Sequence, residues 1–177
     1  QESLRRPRRV NPHVALAEQY VDEVLTGRTP ACRWIKLACQ RHRDDLERAK
    51  GEAYPYRFDE KKASKAAKFI ELMPHVKGKW ARNAENHLRL EGWQCFFVCS
   101  VFGWVRKDTG KRRFHKAQLY VSRKNAKSTL AAAIGNYMLC ADDEPGAEVY
   151  AGASTEAQAW KVFEPARGMA RRLPELL

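Results

Sequence analysis

Two stretches toward the C-terminal end limit what this chain can fold into. Residues 117–140 run "AQLYV" through "SRKNA" into "KSTLAAAIGNYMLC", and residues 147–173 run "AEVYAGA" into "STEAQAWKVFEPARGMARRL". Each is a short, unbroken apolar segment followed by a helical period. Strand–helix–strand–helix with strands apolar on both faces predicts an α/β fold, a parallel sheet flanked by helices.

The residues that join the first strand to its helix carry chemistry. Ser122-Arg123-Lys124-Asn125-Ala126-Lys127-Ser128-Thr129 has the rhythm of a phosphate-binding loop without its glycines. In such a loop backbone N–H groups and a helix N-terminus converge on phosphate, a lysine reaches the terminal phosphates, and a hydroxyl ligates Mg²⁺. Measured against GxxxxGK[ST], Val121 and Ala126 stand where glycines belong. Glycine suits those places because the loop visits positive φ. Ala126 is therefore expected to keep a negative φ, and the loop to begin differently at Val121. On the octapeptide alone, a nucleotide site and a basic strand-to-helix turn both stand. "MLCADDE" at 138–144 imitates a Walker B strand, but it ends the helix that begins at Lys127 and reads as a helix end.

Charge divides the chain unevenly. The net +12 comes from 33 basic and 21 acidic residues. Residues 1–50 hold 11 basic and 7 acidic groups, residues 51–116 hold 15 and 7, and residues 117–177 hold 7 of each. The excess lies before the loop, as a polyanion-facing region or a solvated helical surface would place it. No apolar run approaches the roughly 18 residues that cross a bilayer, so no membrane role is expected. "QESLRRPRRV" has no apolar stretch behind its arginines, which argues against a signal peptide. The five cysteines form no CxxC pair, and core or surface thiols in a reducing compartment are expected.

Upstream, residues 1–10 read as a basic arm. Asn11-Pro12 caps a helix that runs to Gly27, and Thr29-Pro30 repeats the device for a second helix with Trp34, Ile35, Ala38 and Cys39 on one face. Asp59 caps a third helix with an inward stripe of Ala63, Ala66, Ala67 and Ile70. "EGWQCFFVCSVF" is a fourth, short helix, and Asp108-Thr109-Gly110 turns a hairpin.

Taken together, "SRKNAKSTLAAAIGNYML", "YRFDEKKASKAAKFIELMPHVKGKW", "LEGWQCFFVCSVFGW" and "EVYAGASTEAQAWKVFEPARGM" resemble the large terminase subunit of tailed bacteriophages over roughly residues 30–177. The loop is similar to that family's deviant Walker A. The resemblance implies an ASCE-type P-loop ATPase: a helical region at 11–80, and at 81–177 the first part of an ATPase domain that continues beyond the chain. It implies ATP and Mg²⁺ as cofactors, with Lys127, Arg123 and Lys124 in catalytic positions at the β/γ-phosphates. Ser128 would ligate Mg²⁺, with Thr129 the alternative hydroxyl; the backbone of Asn125 and Ala126 would form the cradle, and Ser122 would also bind the nucleotide. Trp93-Gln94 is similar to the adenine motif, with Gln94 the reader of the base edge and Trp93 a core residue. The Walker B aspartate, catalytic glutamate and nuclease carboxylates of the family match no residue here, so negligible turnover is expected of this piece alone.

The implied partners are double-stranded DNA, the small terminase subunit, the portal of the procapsid, and further copies in a ring, a pentamer on the portal, in the host bacterial cytoplasm. Candidate DNA contacts are Arg5, Arg6, Arg8 and Arg9 of the arm, Lys61, Lys62, Lys65 and Lys68 of the third helix, and Arg106, Lys107, Lys111, Arg112 and Arg113 of the hairpin. Arg167, Arg171 and Arg172 are candidates for an arginine given to a neighbouring subunit. A helicase-like P-loop motor and a non-catalytic basic DNA-binding module are the competing readings.

Overall fold

The computed structural model describes residues 11–83 and 85–173; the basic arm lies outside the described residues. The chain divides into two compact units, Gln1–Ser64 with Glu91–Arg113, and Lys65–Leu90 with Phe114–Leu177. This division differs from the expected boundary at residue 80. The N-terminal helices fold with residues 91–113, and residues 65–90 fold with the loop-bearing segment.

The first unit is built on α1 (Pro12–Leu25), which packs chiefly on α4 (Gly92–Gly103) and also on α2 (Arg33–Arg48). Asn11 caps α1 by accepting the His13 N–H, Pro12 occupies the first turn, and Gly27 leaves the helix with a φ of +78°. Val14, Ala17, Val21 and Val24 repeat at helical spacing and are buried. They face the same core as Cys95, Phe96, Val98, Cys99 and Phe102 of α4. Burial of the Cys39 and Cys99 thiols pushes their pKa values up to about 11 and about 12.

Two expectations for α2 are corrected. Its cap is Cys32, without a side-chain bond, because the Thr29 hydroxyl and N–H are both taken by Glu23. Its buried residues are Cys39, His42 and Asp45, while Trp34 is 73% exposed. Polar groups were drawn inward because partners await them. The Trp104 indole donates to His42 Nδ1 at 3.1 Å. An indole nitrogen only donates, so His42 carries its proton on Nε2, which bonds Glu18 at 2.8 Å.

β1 (Tyr56–Phe58) pairs antiparallel with β2 (Trp104–Arg106), Phe58 opposite Trp104. Beyond β2 the expected hairpin is present as a turn, with Gly110 at a φ of +67° and a single bridge from Val105 to Arg112. Gly103, where α4 becomes β2, has no room for a side chain: a Cβ would lie 2.6 Å from the Phe58 ring and 2.9 Å from Ala63 Cβ. α3 (Glu60–Leu72) gives its first turn to this unit and the rest to the second. Its predicted stripe of Ala63, Ala66, Ala67 and Ile70 is fully buried, and Asp59 caps it through the Lys61 and Lys62 N–H groups at 3.1 Å each.

The second unit packs α5 (Lys127–Cys140) against α6 (Glu156–Arg172). Asn136 donates to the Ala166 carbonyl at 3.0 Å, and Tyr137 meets Phe69 edge-on. Arg172 holds the carbonyls of His75 and Ala81, so residues 75–81 are anchored to the end of α6.

The parallel sheet is not formed among the described residues, where the one sheet is the β1–β2 pair. Residues 117–121 and 147–151 lie outside any ladder, with Tyr120 and Tyr150 85% and 84% exposed. A parallel strand takes its hydrogen bonds only from neighbouring strands, and no described strand lies beside these two. No helix among the described residues is long and apolar enough to cross a membrane.

Candidate nucleotide site

The loop lies in the second unit, ahead of α5. Lys124 and Ala126 adopt positive φ, +68° and +52°, and Asn125 between them does not. The expectation of a negative φ at Ala126 is therefore corrected: this residue enters the left-handed region although it bears a Cβ. The cost for a residue with a side chain is roughly 1–2 kcal/mol, so something else must hold the loop. Alternating signs of φ turn successive N–H groups toward one point, the geometry of backbone nests that bind anions.

The helix behind the loop is open to an anion. α1, α3 and α6 close their first turns with their own side chains, Asn11, Asp59 and Thr155. α5 has Ala126 as its cap, no side-chain cap bond and no acidic residue in its first turn. Its first N–H groups and the positive end of its dipole thus face the loop without an internal anion to occupy them.

Side chains complete the arrangement. Lys127 folds its ammonium back onto the Val121 carbonyl, across the mouth of the loop. Asn125 Nδ2 lies 2.7 Å from Ser122 Oγ, 3.3 Å from the Arg123 carbonyl and 3.4 Å from the Ser122 carbonyl. Arg123 and Lys124 are exposed and, among the described residues, make no side-chain ion pair. Ser128 and Thr129 are half-buried at the first turn of α5. The loop and the first turn of α5 thus hold three cations and three hydroxyls, those of Ser122, Ser128 and Thr129, with no acidic residue in that turn.

Gln94 belongs to the other unit. It is buried in the first turn of α4, where its Oε1 accepts the Glu91 N–H at 2.9 Å as half of a capping box. The S/T/D/E-x-x-Q spacing of Glu91 and Gln94 was the available sequence signal for that role. Trp93 is half-buried.

The hairpin cations named as DNA contacts are largely engaged. Arg113 donates to Asp45, itself 1% exposed, at 2.6 Å, and its guanidinium lies 4.6 Å from the Tyr56 ring and 5.5 Å from the Trp104 ring. Tyr54 donates to the other Asp45 oxygen at 2.5 Å. Arg106 forks onto Asp108 and holds that carboxyl down at about 2. Arg112 sits over Phe102, and Lys107 donates to the Gly51 carbonyl. Of the α3 lysines, Lys62 bonds the Gly110 carbonyl and Lys65 pairs with Asp143. Asp143, the aspartate of the Walker B look-alike, follows the end of α5 with a φ of +62°, so the helix-end reading of that stretch stands. Arg167 lies over Trp160, and Arg171 is exposed. Sequence reasoning missed the Asp45–Arg113 pair, because its halves are far apart in the chain and each looks like a surface charge.

Cys32 and Cys140 are exposed, and among the described residues no cluster of His, Cys, Asp and Glu could hold a metal ion. A search of curated proteins and of solved structures finds no match. One family model matches, described as the terminase large subunit, ATPase domain, over residues 92–177, just under half of the chain and including the whole loop and both flanking helices. Over those residues the chain is similar to terminase large-subunit ATPase domains.

Proposed function

We propose that this chain is the ATP-binding part of a viral DNA-packaging motor, in which ATP hydrolysis drives double-stranded DNA into a procapsid. The observation that carries the reading is the anion-ready loop at Ser122–Ser128 inside the segment matched to the terminase ATPase domain. Bound ATP with Mg²⁺ supplies the phosphoanhydride whose cleavage powers such motors. Lys127 would leave Val121 for the β/γ-phosphates, and Ser128 would give its hydroxyl to the metal. Arg123 and Lys124 bring positive charge toward the γ-phosphate.

The apolar segments 117–121 and 147–151 are read as two strands of a parallel P-loop sheet. No residue of the chain matches a Walker B aspartate or a catalytic glutamate, so the 177-residue chain is expected to bind ATP with negligible turnover. A nuclease domain, the small terminase subunit, the portal, a ring of copies and the host cytoplasm are the setting this function requires. DNA contacts are expected at phosphates, steeply salt-dependent and blind to sequence.

ATP titration of the wild type and Lys127→Ala tests the proposal. Removing a charged donor from the phosphates should weaken binding about a hundredfold. Equal affinity in the two proteins would sink the nucleotide reading and favour the DNA-binding module, whose loop meets only backbone phosphate. Sustained hydrolysis by the 177-residue chain would overturn the assignment of the missing groups.

A further inference from the structure

We propose that Asn125 is a positioning residue of the loop, its side-chain amide doing structurally what the absent glycines do elsewhere and aiming the Ser122 hydroxyl at phosphate. The inference rests on the nucleotide reading above and assigns a role that the motif does not supply. Its basis is the three acceptors around Asn125 Nδ2: Ser122 Oγ at 2.7 Å, the Arg123 carbonyl at 3.3 Å and the Ser122 carbonyl at 3.4 Å.

The chemistry of these groups fixes the direction of each bond. An amide nitrogen only donates, so Ser122 Oγ accepts from Asn125 and its own proton is left for another acceptor. Among the described residues no acceptor takes that proton. A phosphate oxygen, which only accepts, is its natural partner. The two carbonyls are turned toward the same nitrogen, and a carbonyl held there is withdrawn from an incoming anion that it would repel. Two hydrogens shared among three acceptors make a fork that closes the turn on the Ser122 side.

The backbone explains why this chain needs such a fork. Lys124 and Ala126, on either side of Asn125, both hold positive φ while carrying side chains. With glycine the loop would visit this shape freely. Here a side chain located between the two strained residues holds it, and the Lys127 bond to Val121 closes the far side. The Asn125 side chain therefore acts through Ser122 and the loop's shape, without touching phosphate itself.

The experiment uses the whole 177-residue chain in two measurements. Hydrogen exchange of the amides at 123–126, without nucleotide, reads the fork; ATP titration reads its purpose. Asn125→Ala should speed exchange at least about fivefold and weaken ATP about tenfold, with the thermal midpoint unchanged because the loop is exposed. Asn125→Asp, which sets a negative acceptor against two carbonyls and a phosphate, should weaken ATP further. Ser122→Ala should weaken ATP, and the Ser122→Ala/Asn125→Ala double variant should lose less than the two single losses combined. Ala126→Gly in the Asn125→Ala background should recover part of the affinity.

Wild-type exchange and affinity in Asn125→Ala would overturn the proposal. Fully additive losses in the double variant would overturn its coupling to Ser122. If Lys127→Ala binds ATP as the wild type does, the nucleotide reading fails, and the exchange measurement still decides whether Asn125 holds the loop.

Discussion

Arg113 and Arg123 come from similarly basic stretches of one chain and end in opposite circumstances. Arg113 is enclosed by Tyr54, Tyr56 and Trp104 and neutralises the buried Asp45. Arg123 stands in water beside a helix end that has no cap. The first is a fixed part of a core; the second is an exposed charge beside a helix turn that holds no carboxylate. Basic composition does not separate these roles, whereas the position of the carboxylates does. Asp45 lies where Arg113 can reach it, and no carboxylate lies in the first turn of α5.

The sharpest way to break the comparison is to truncate both arginines. Among the described residues, Arg113→Ala leaves the buried Asp45 carboxylate with Tyr54 and the more distant Arg48 as side-chain partners, and should lower the stability of the unit by about 3–5 kcal/mol. Arg123→Ala should change stability by less than about 0.5 kcal/mol and should weaken ATP instead. Urea unfolding of the two variants reads the contrast. Equal stabilities would mean that Arg113 is a surface charge after all and is open to DNA.

A smaller effect concerns the helix starts. Asp59 is a capped carboxylate, the counterpart of the uncapped α5. Burial pushes its carboxyl up, but the Lys62 N–H, the Arg57 guanidinium and the Lys61 N–H outweigh burial and hold it below the usual range. A depressed folded pKa contributes stability that is fully present above the unfolded value of about 3.9 and is lost as pH falls through the folded pKa. Asp59→Ala should therefore cost about 1 kcal/mol at pH 7, and that cost should shrink toward zero well below the usual carboxylate range. Urea unfolding of both proteins across that pH range is the check. A cost independent of pH would show that the carboxylate charge does not matter to the cap.

The smallest expected effect is at Ala126. Glycine there removes roughly 1–2 kcal/mol of left-handed strain and adds about 0.4–1 kcal/mol of freedom to the unfolded chain. Ala126→Gly should stabilise the protein by about 0.5 kcal/mol, measured as a rise in the urea midpoint. A loss of stability would show that the alanine methyl makes a contact worth more than the strain.

The helices were legible because capping and apolar spacing are local. Asn11-Pro12, the Ala63–Ile70 stripe and the start of α5 at Lys127 lie where the sequence puts them. The second helix was misread at its start and at the exposed Trp34, while Cys39 of the predicted face is buried; distant groups decided its start and its buried polar residues. Glu23 takes Thr29, and Glu18 and Trp104 draw His42 inward. In the loop, the identity and order of Lys127, Ser128 and the basic pair were plain, but the sign of φ at Ala126 was not. Nor was the Asn125 fork, since three acceptors around one nitrogen arise only when the turn has closed.

By itself the sequence determined most helix starts and apolar faces, the position of the candidate loop and the chemistry of its side chains, because each depends on residues within a turn or two of one another. The tertiary structure decided which charges are held and which stay free, and which polar groups are buried. Those choices depend on partners brought together from distant parts of the chain, where a buried carboxylate must be answered and an exposed cation need not be.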